Sequence, residues 1–107
     1  MSTNYPDTHL FLNGEWREAA AKESLEIINP ATEEVIGKVS HARKEDLDIA
    51  LNAAENAFNS WKNVSAYERS KILRKAADIV RSKADQIATL MTMEQGKPLI
   101  EAKMETM

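Results

Sequence analysis

The chain has 107 residues, of which 43% are hydrophobic and 29% charged, and its net charge is −3. This length is typical of one domain, and the composition is not that of a disordered chain. No apolar run approaches the roughly 20 residues of a membrane span, neither half has the basic excess typical of nucleic-acid binding, and there is no cysteine. We therefore expect no membrane or nucleic-acid partner. Because the first residues do not resemble a secretion signal, we expect a cytoplasmic location.

The first predicted element is a β-hairpin. Residues 1–8 are polar and predict a flexible tail ahead of it. The apolar residues 9–12 predict its first strand and residues 15–19 its second, with Asn13-Gly14 between them. This pair favours a two-residue turn, because both central positions of such a turn need positive φ.

A second hairpin-like unit is predicted over residues 24–39. Residues 24–28 alternate into an apolar end, and residues 34–39 return as a strand. Between them, Asn29-Pro30-Ala31-Thr32 predicts a turn, because the proline ring fixes φ. The first 40 residues thus predict two pairs of strands.

From residue 43 the apolar spacing becomes helical and predicts a helix from about Lys44 to about Lys62. The start of this helix is poorly capped in the sequence. Glu45 can serve as the reaching residue of a capping box, but Ala42 occupies the cap position and has no side-chain acceptor. We therefore expect fraying at this end. The apolar stripe contains Leu47, Ala50, Leu51, Ala54, Ala57, Phe58 and Trp61.

The second helix is predicted to begin cleanly, because Ser65 and Glu68 fit a capping box. Its apolar stripe runs from Ile72 to Val80. Ser82 or Asp85 is expected to cap a third helix, which continues to about residue 95.

Gly96 predicts the end of the third helix, since glycine accepts the left-handed conformation that closes helices. Pro98 suits the first turn of a fourth helix. That helix runs into Met107 with Leu99, Ala102 and Met104 still periodic and with no stop signal. We therefore expect the chain to be truncated at its C-terminus.

The resulting fold class is α+β: two N-terminal β-hairpins followed by three to four amphipathic helices. The alternation of strand and helix that builds βαβ units is missing within these residues. The apolar stripes need partner surface, because a chain of this size buries only a modest part of its surface.

Two basic features have ordinary interpretations. Gly96-Lys97 does not fit a phosphate-binding loop, because Met91 stands where the first glycine is needed. A cluster of basic residues on the second helix predicts a solvated face or, as the alternative, a surface for an anionic partner. Its members are Lys71, Arg74, Lys75, Arg81 and Lys83.

Several sequence blocks stand in order along the chain. They include Leu12-Asn13-Gly14-Glu15-Trp16, then Ile28-Asn29-Pro30-Ala31-Thr32 through Gly37, then Asp46-Leu47-Asp48, Glu68-Arg69 and Ile72-Leu73, and finally Glu94-Gln95-Gly96-Lys97-Pro98-Leu99. Taken together, these blocks resemble the N-terminal part of the aldehyde dehydrogenase superfamily, and within it the succinate-semialdehyde dehydrogenase branch. Met104 departs from that branch, which commonly has glycine there.

The resemblance implies an α/β parent in which residues 9–107 are the N-terminal part of the cofactor-binding domain. It implies an NAD(P)-dependent oxidation of an aldehyde, such as succinate semialdehyde, to a carboxylic acid by a homodimer or homotetramer. In the family, a cysteine thiolate attacks the aldehyde and a glutamate activates water for hydrolysis. These residues and the cofactor-contacting residues lie later in the family, so no catalytic or cofactor-binding residue is assigned to this chain.

Two functional hypotheses follow. In the first, the chain is a structural segment whose partner is the remainder of the dehydrogenase chain, and it is inactive alone because it lacks the catalytic cysteine. In the second, it is a freestanding small interaction module derived from such a gene.

One candidate metal site remains. Glu94 falls in the last turn of its helix, where the helix dipole disfavours a carboxylate. An ion pair with Lys97 or a hydrogen bond across the domain is one way to compensate it. The resemblance implies another, a structural monovalent cation held between Glu94 and backbone carbonyls around Ile27 and Ile28.

Overall fold

A computed structural model describes residues 4–107 of the chain. None of the helices in this range is long and apolar enough to cross a membrane. The elements, in chain order, are β1 (Leu10–Leu12), β2 (Glu15–Arg17), β3 (Ser24–Ile28), β4 (Val35–Ser40), α1 (Lys44–Trp61), α2 (Ala66–Ser82), α3 (Ala84–Gln95) and α4 (Leu99–Thr106).

The described chain divides into two compact units. The hairpin unit comprises Pro6–Ile27 and Gly37–Ser65. The helical unit comprises the described residues up to Tyr5, then Ile28–Ile36 and Ala66–Met107.

The first predicted hairpin is confirmed. β1 and β2 pair antiparallel, with Phe11 opposite Trp16 and Leu12 opposite Glu15. Asn13 has φ 52° and Gly14 has φ 80°, so both turn residues take the positive φ that a tight hairpin turn needs. The turn chemistry therefore fixes the register of this hairpin.

The residues before β1 are paired with β4. Thr8 forms a parallel bridge with Val39, and the backbone N–H of Lys38 donates to the Asp7 carboxylate at 2.9 Å. Residues 1–3 of the predicted flexible tail lie outside the described residues. Hydrogen bonding thus begins ahead of residue 9, where the ordered part was predicted to start.

The second hairpin is also confirmed, with β3 and β4 in one two-stranded sheet. The Asn29 side chain accepts a hydrogen bond from the Ala31 N–H at 2.9 Å, as in an Asx turn. The Glu33 N–H donates to the Asn29 carbonyl at 2.8 Å, and Glu33 adopts φ 62°. The loop is therefore held by its asparagine as well as by Pro30.

The predicted cap of α1 is wrong. The residue before the helix is Arg43, not Ala42, and its extended backbone donates an N–H to the Asp46 carboxylate at 3.0 Å. Asp46, and not Glu45, is therefore the acidic residue that accepts the backbone N–H at the start of the helix. This contact holds the residue before the helix, and the fraying of the first turn stays a prediction.

In the helical unit, α2 begins directly after Ser65, as predicted. The predicted cap of α3 is wrong, because Lys83 precedes the helix. The Ser82 hydroxyl donates instead to the Ile79 carbonyl at 2.7 Å, and the Asp85 carboxylate pairs with Lys103 at 3.1 Å.

The turn between α3 and α4 follows the prediction. Gly96 has φ 77°, and its N–H donates to the Thr92 carbonyl at 2.8 Å. Pro98 directly precedes α4. The two helices pack on each other and bury Ala88 and Ala102 completely, because small side chains allow close approach.

Candidate functional site

Glu94, the predicted cation ligand, lies in the last turn of α3. Its carboxylate accepts a hydrogen bond from the hydroxyl of Tyr5. The suggested ion pair with Lys97 is wrong, because Lys97 pairs with Glu105. The group that compensates Glu94 is thus a neutral donor from the beginning of the described chain.

Ile27 and Ile28, the other predicted cation ligands, are the last residues of β3. Among residues 4–107, no three His, Asp or Glu side chains gather as metal ligands would. A cation site built from backbone carbonyls and one carboxylate is of another kind, so it stays a prediction.

The turn after Glu94 makes a close backbone contact. A Cβ placed on Gly96 would lie 3.0 Å from Cγ of Pro30. Glycine is needed here for two reasons, its positive φ and the absence of a side chain. The sequence predicted the first reason, whereas the second comes from packing within the helical unit.

The most buried charged group is in the hairpin unit. Asp46 is 1% exposed, and its carboxylate accepts the backbone N–H groups of Arg43 at 3.0 Å and Ala20 at 2.9 Å. These two hydrogen bonds to the charged form hold the pKa of Asp46 below its usual value. The sequence contains a signal for the contact with Arg43, because Asp46 stands three residues after it, at the position of the acidic residue in a capping box. The hydrogen bond from Ala20 is seen only in the structure.

Arg43 extends this connection. Its guanidinium forms a bidentate ion pair with the Glu23 carboxylate, with N–O distances of 2.6–2.8 Å. Hydrogen bonding to Glu23 raises the pKa of Arg43 above its usual value. Asp46 and Arg43 together join the loop after β2 to the start of α1, which is a structural role.

The hairpin unit also has a polar cleft, whose lining includes Asp7, His9, Glu23 and Ser40. Two of its acids are already engaged, Asp7 with the Lys38 N–H and Glu23 with Arg43. The ring of His9 approaches the Ser40 hydroxyl at 3.4 Å on an exposed surface. This geometry lacks the aligned base and desolvated hydroxyl that a nucleophilic site requires, so we assign no chemistry to the cleft.

The remaining feature is apolar surface. Among residues 4–107, the fully buried apolar residues are three alanines, Ala19, Ala88 and Ala102. Large side chains on α1 and α2 are exposed, for example Phe58 at 60% and Leu73 at 64%. Exposed apolar patches of this kind mark surfaces that contact another polypeptide or a ligand.

Two hairpins, a series of amphipathic helices and extensive exposed apolar surface characterise this α+β chain. The sequence matches the aldehyde dehydrogenase family over residues 16–107, and the chain belongs to that family. The described α+β arrangement is a segment of the aldehyde dehydrogenase fold.

Relatives of the chain are dehydrogenases of several substrates. It is 42% identical to a probable methylmalonate-semialdehyde/malonate-semialdehyde dehydrogenase of Dictyostelium discoideum, over 90% of this chain and 18% of the relative. It is 41% identical to a chloroplastic betaine aldehyde dehydrogenase of Amaranthus hypochondriacus, over 95% of this chain and 21% of the relative. The chain thus spans about a fifth of the length of these relatives.

Solved structures agree with this assignment. A 3,6-anhydro-L-galactose dehydrogenase in complex with NAP is 30% identical with a TM-score of 0.91, covering 94% of this chain and 21% of that one. A betaine aldehyde dehydrogenase of Staphylococcus aureus in complex with NAD+ is 39% identical with a TM-score of 0.85, covering 89% of this chain and 19% of that one.

Proposed function

We propose that this chain forms the N-terminal part of the cofactor-binding domain of an NAD(P)-dependent aldehyde dehydrogenase. The parent enzyme oxidises an aldehyde to a carboxylic acid. The observation that carries the proposal is the close backbone match to one fifth of a solved dehydrogenase, with large apolar side chains left exposed on the matching segment. Solved relatives in complex with NAD+ and NAP support a nicotinamide cofactor for the parent.

Within that enzyme, the role of the segment is structural. The reaction requires a thiolate nucleophile, and the 107 residues contain no cysteine. The chain alone is therefore inactive by this mechanism. It supports the cofactor domain and does not touch the reacting atoms.

For the substrate, we propose a semialdehyde, with succinate semialdehyde as the first compound to assay. Support comes from the order of sequence blocks in this chain and from the semialdehyde named for the Dictyostelium relative. We also propose that the parent is a cytoplasmic homodimer or homotetramer, in which the partner of this chain is the remainder of the dehydrogenase polypeptide.

The test is the intact mass of the protein made from its native gene, followed by an assay of the purified product with succinate semialdehyde and either NAD+ or NADP+. A mass several times that of 107 residues, with reduction of the cofactor, is the expected result. A mass equal to that of 107 residues would overturn the proposal and favour a freestanding interaction module.

A second, separate proposal concerns Glu94. We propose that its carboxylate and the carbonyls of Ile27 and Ile28 hold a structural monovalent cation, since hard cations prefer oxygen ligands. Potassium should then raise the melting temperature of the native protein and of Tyr5→Phe, but not of Glu94→Ala. Equal melting of the native protein in potassium and in tetramethylammonium would refute the site.

A further inference from the structure

One side of α2 carries a narrow track of mostly small side chains. The α2 track consists of Ala66, Ser70, Leu73 and Ala77, whose spacings of four, three and four residues place them on one side of the helix. Leu73 projects from it and is 64% exposed. Small side chains around one larger one allow another backbone to approach closely.

Two arginines border this track. Arg69 and Arg74 line its opposite edges and are separated along the helix axis by about 7.5 Å, from five residues of helical rise. Two other cations of α2 are paired, Lys71 with Glu68 at 3.2 Å and Arg81 with Asp78 at 3.3 Å. Within residues 4–107, neither Arg69 nor Arg74 has a carboxylate at ion-pair distance.

The charge of the helix defines the chemistry of its partner. Residues 66–83 hold six basic and two acidic side chains, a net charge of +4. A guanidinium prefers a carboxylate, which it binds through two parallel hydrogen bonds. A complementary partner therefore presents apolar side chains to the track and a carboxylate on each side of it.

A polypeptide fits this surface better than an anionic membrane. A basic amphipathic helix that inserts into lipid needs bulky apolar side chains on the inserted face. The α2 track has two alanines, a serine and one leucine between its arginines. In solved dehydrogenases, moreover, the matching segment is only a fifth of the chain, so most of the polypeptide lies outside it.

We propose that the α2 track docks an apolar segment with flanking carboxylates from the remainder of the dehydrogenase polypeptide, and that Arg69 and Arg74 each bind one of those carboxylates. This assignment rests on the function proposed above and adds the chemistry of the partner. Both arginines are then positioning residues for the assembly of the fold, remote from the reacting atoms.

The test uses a chimera of Staphylococcus aureus betaine aldehyde dehydrogenase in which the matching fifth of the chain is replaced by these 107 residues. We expect it to fold and to oxidise betaine aldehyde with NAD+. The double variant Arg69→Gln/Arg74→Gln should lower its melting temperature by at least about 2–4 °C, because two charge-assisted contacts are lost. A crystal structure of the chimera should show a carboxylate within hydrogen-bond distance of each guanidinium.

Lys75→Gln is the control for charge, since it removes one positive charge from α2 away from the track, half of what the double variant removes, and should leave melting unchanged. An active chimera whose double variant melts like the parent would overturn the docking assignment and leave the proposed function standing. A chimera that neither folds nor oxidises betaine aldehyde would overturn both. If the 107-residue chain sedimented with phosphatidylserine vesicles through these arginines while the active chimera ignored their loss, the track would be a membrane surface, which also overturns the docking assignment.

Discussion

At the scale of single residues, Asp46 and Gly96 stabilise the fold through contacts that their sequence neighbours do not predict. Asp46 is a buried carboxylate with two backbone donors, Arg43 and Ala20. Gly96 is a left-handed residue in contact with a proline from another loop. In both cases a short sequence motif indicates the local conformation, and a residue distant in sequence makes the additional tertiary contact.

For Asp46, we predict a specific dependence of stability on pH. The pKa of its carboxyl is lowered in the folded state, so its contribution is complete above the unfolded-state pKa of about 3.9 and disappears as the pH falls through the lower folded-state value. Asp46→Asn should lower the melting temperature at pH 7, and the difference from the native chain should shrink in that acid range.

Asp48→Asn is the control, because Asp48 lies on the same helix in an exposed pair with Lys44. It should change the melting temperature little, since exposed ion pairs of this spacing contribute little. Circular dichroism melting between pH 2 and pH 7 would measure both variants. A pH-independent loss in Asp46→Asn would contradict the role of its charge.

For Gly96, we predict that alanine destabilises the chain more than alanine at Gly14. Both substitutions place a side chain at positive φ, which costs about 1–2 kcal/mol. Gly96→Ala adds the contact with Pro30, whereas nothing lies within 4 Å of a Cβ on Gly14. Urea denaturation of the two variants measures the difference, and equal losses would show that Pro30 yields without cost.

At the scale of elements, local sequence signals predict the tight turns, whereas they do not predict where α1 and α3 are capped. The Asn13-Gly14 turn and the Gly96 stop were predicted from the sequence, because the backbone conformation at these positions is a property of the residues themselves. The starts of α1 and α3 were predicted wrongly. At α1, the Asp46 carboxylate accepts a hydrogen bond from the N–H of Ala20, which lies in the loop after β2 and is 26 residues away in sequence.

Within the first hairpin, we predict energetic coupling between Phe11 and Trp16. Their rings lie opposite each other across the strands, with centroids 4.9 Å apart and ring planes tilted by 53°. Such pairs contribute about 0.5–1.5 kcal/mol beyond the area they bury. A double-mutant cycle of Phe11→Ala and Trp16→Ala in urea denaturation should return a coupling of this size, and strictly additive losses would refute it.

At the scale of the whole molecule, the exposed apolar surface determines the stability and self-association that we expect of the chain. Burial of large side chains supplies most of the stability of ordinary domains. Here Leu47, Leu51 and Phe58 on α1 are all more than half exposed. A chain in this state should be marginally stable and should associate with itself unless another polypeptide covers these faces.

For this surface, we predict concentration-dependent self-association of the 107-residue chain in sedimentation velocity. Phe58→Glu should reduce it, because it places a charge on the exposed apolar face of α1. Asn59→Glu adds the same charge at the neighbouring position and should have a smaller effect. Equal behaviour of the two variants would place the association elsewhere.

The sequence by itself determined the order of the elements, the two tight turns, the helix stop at Gly96 and the resemblance to aldehyde dehydrogenases. These depend on residue chemistry within a few positions of one another. Only the tertiary structure showed that Asp46 joins α1 to Ala20 and that Tyr5 is the partner of Glu94. It also showed that Arg69 and Arg74, which border the α2 track, have no carboxylate at ion-pair distance among residues 4–107. Hydrogen bonds and ion pairs between distant residues depend on how the chain returns on itself, and local spacing does not contain that information.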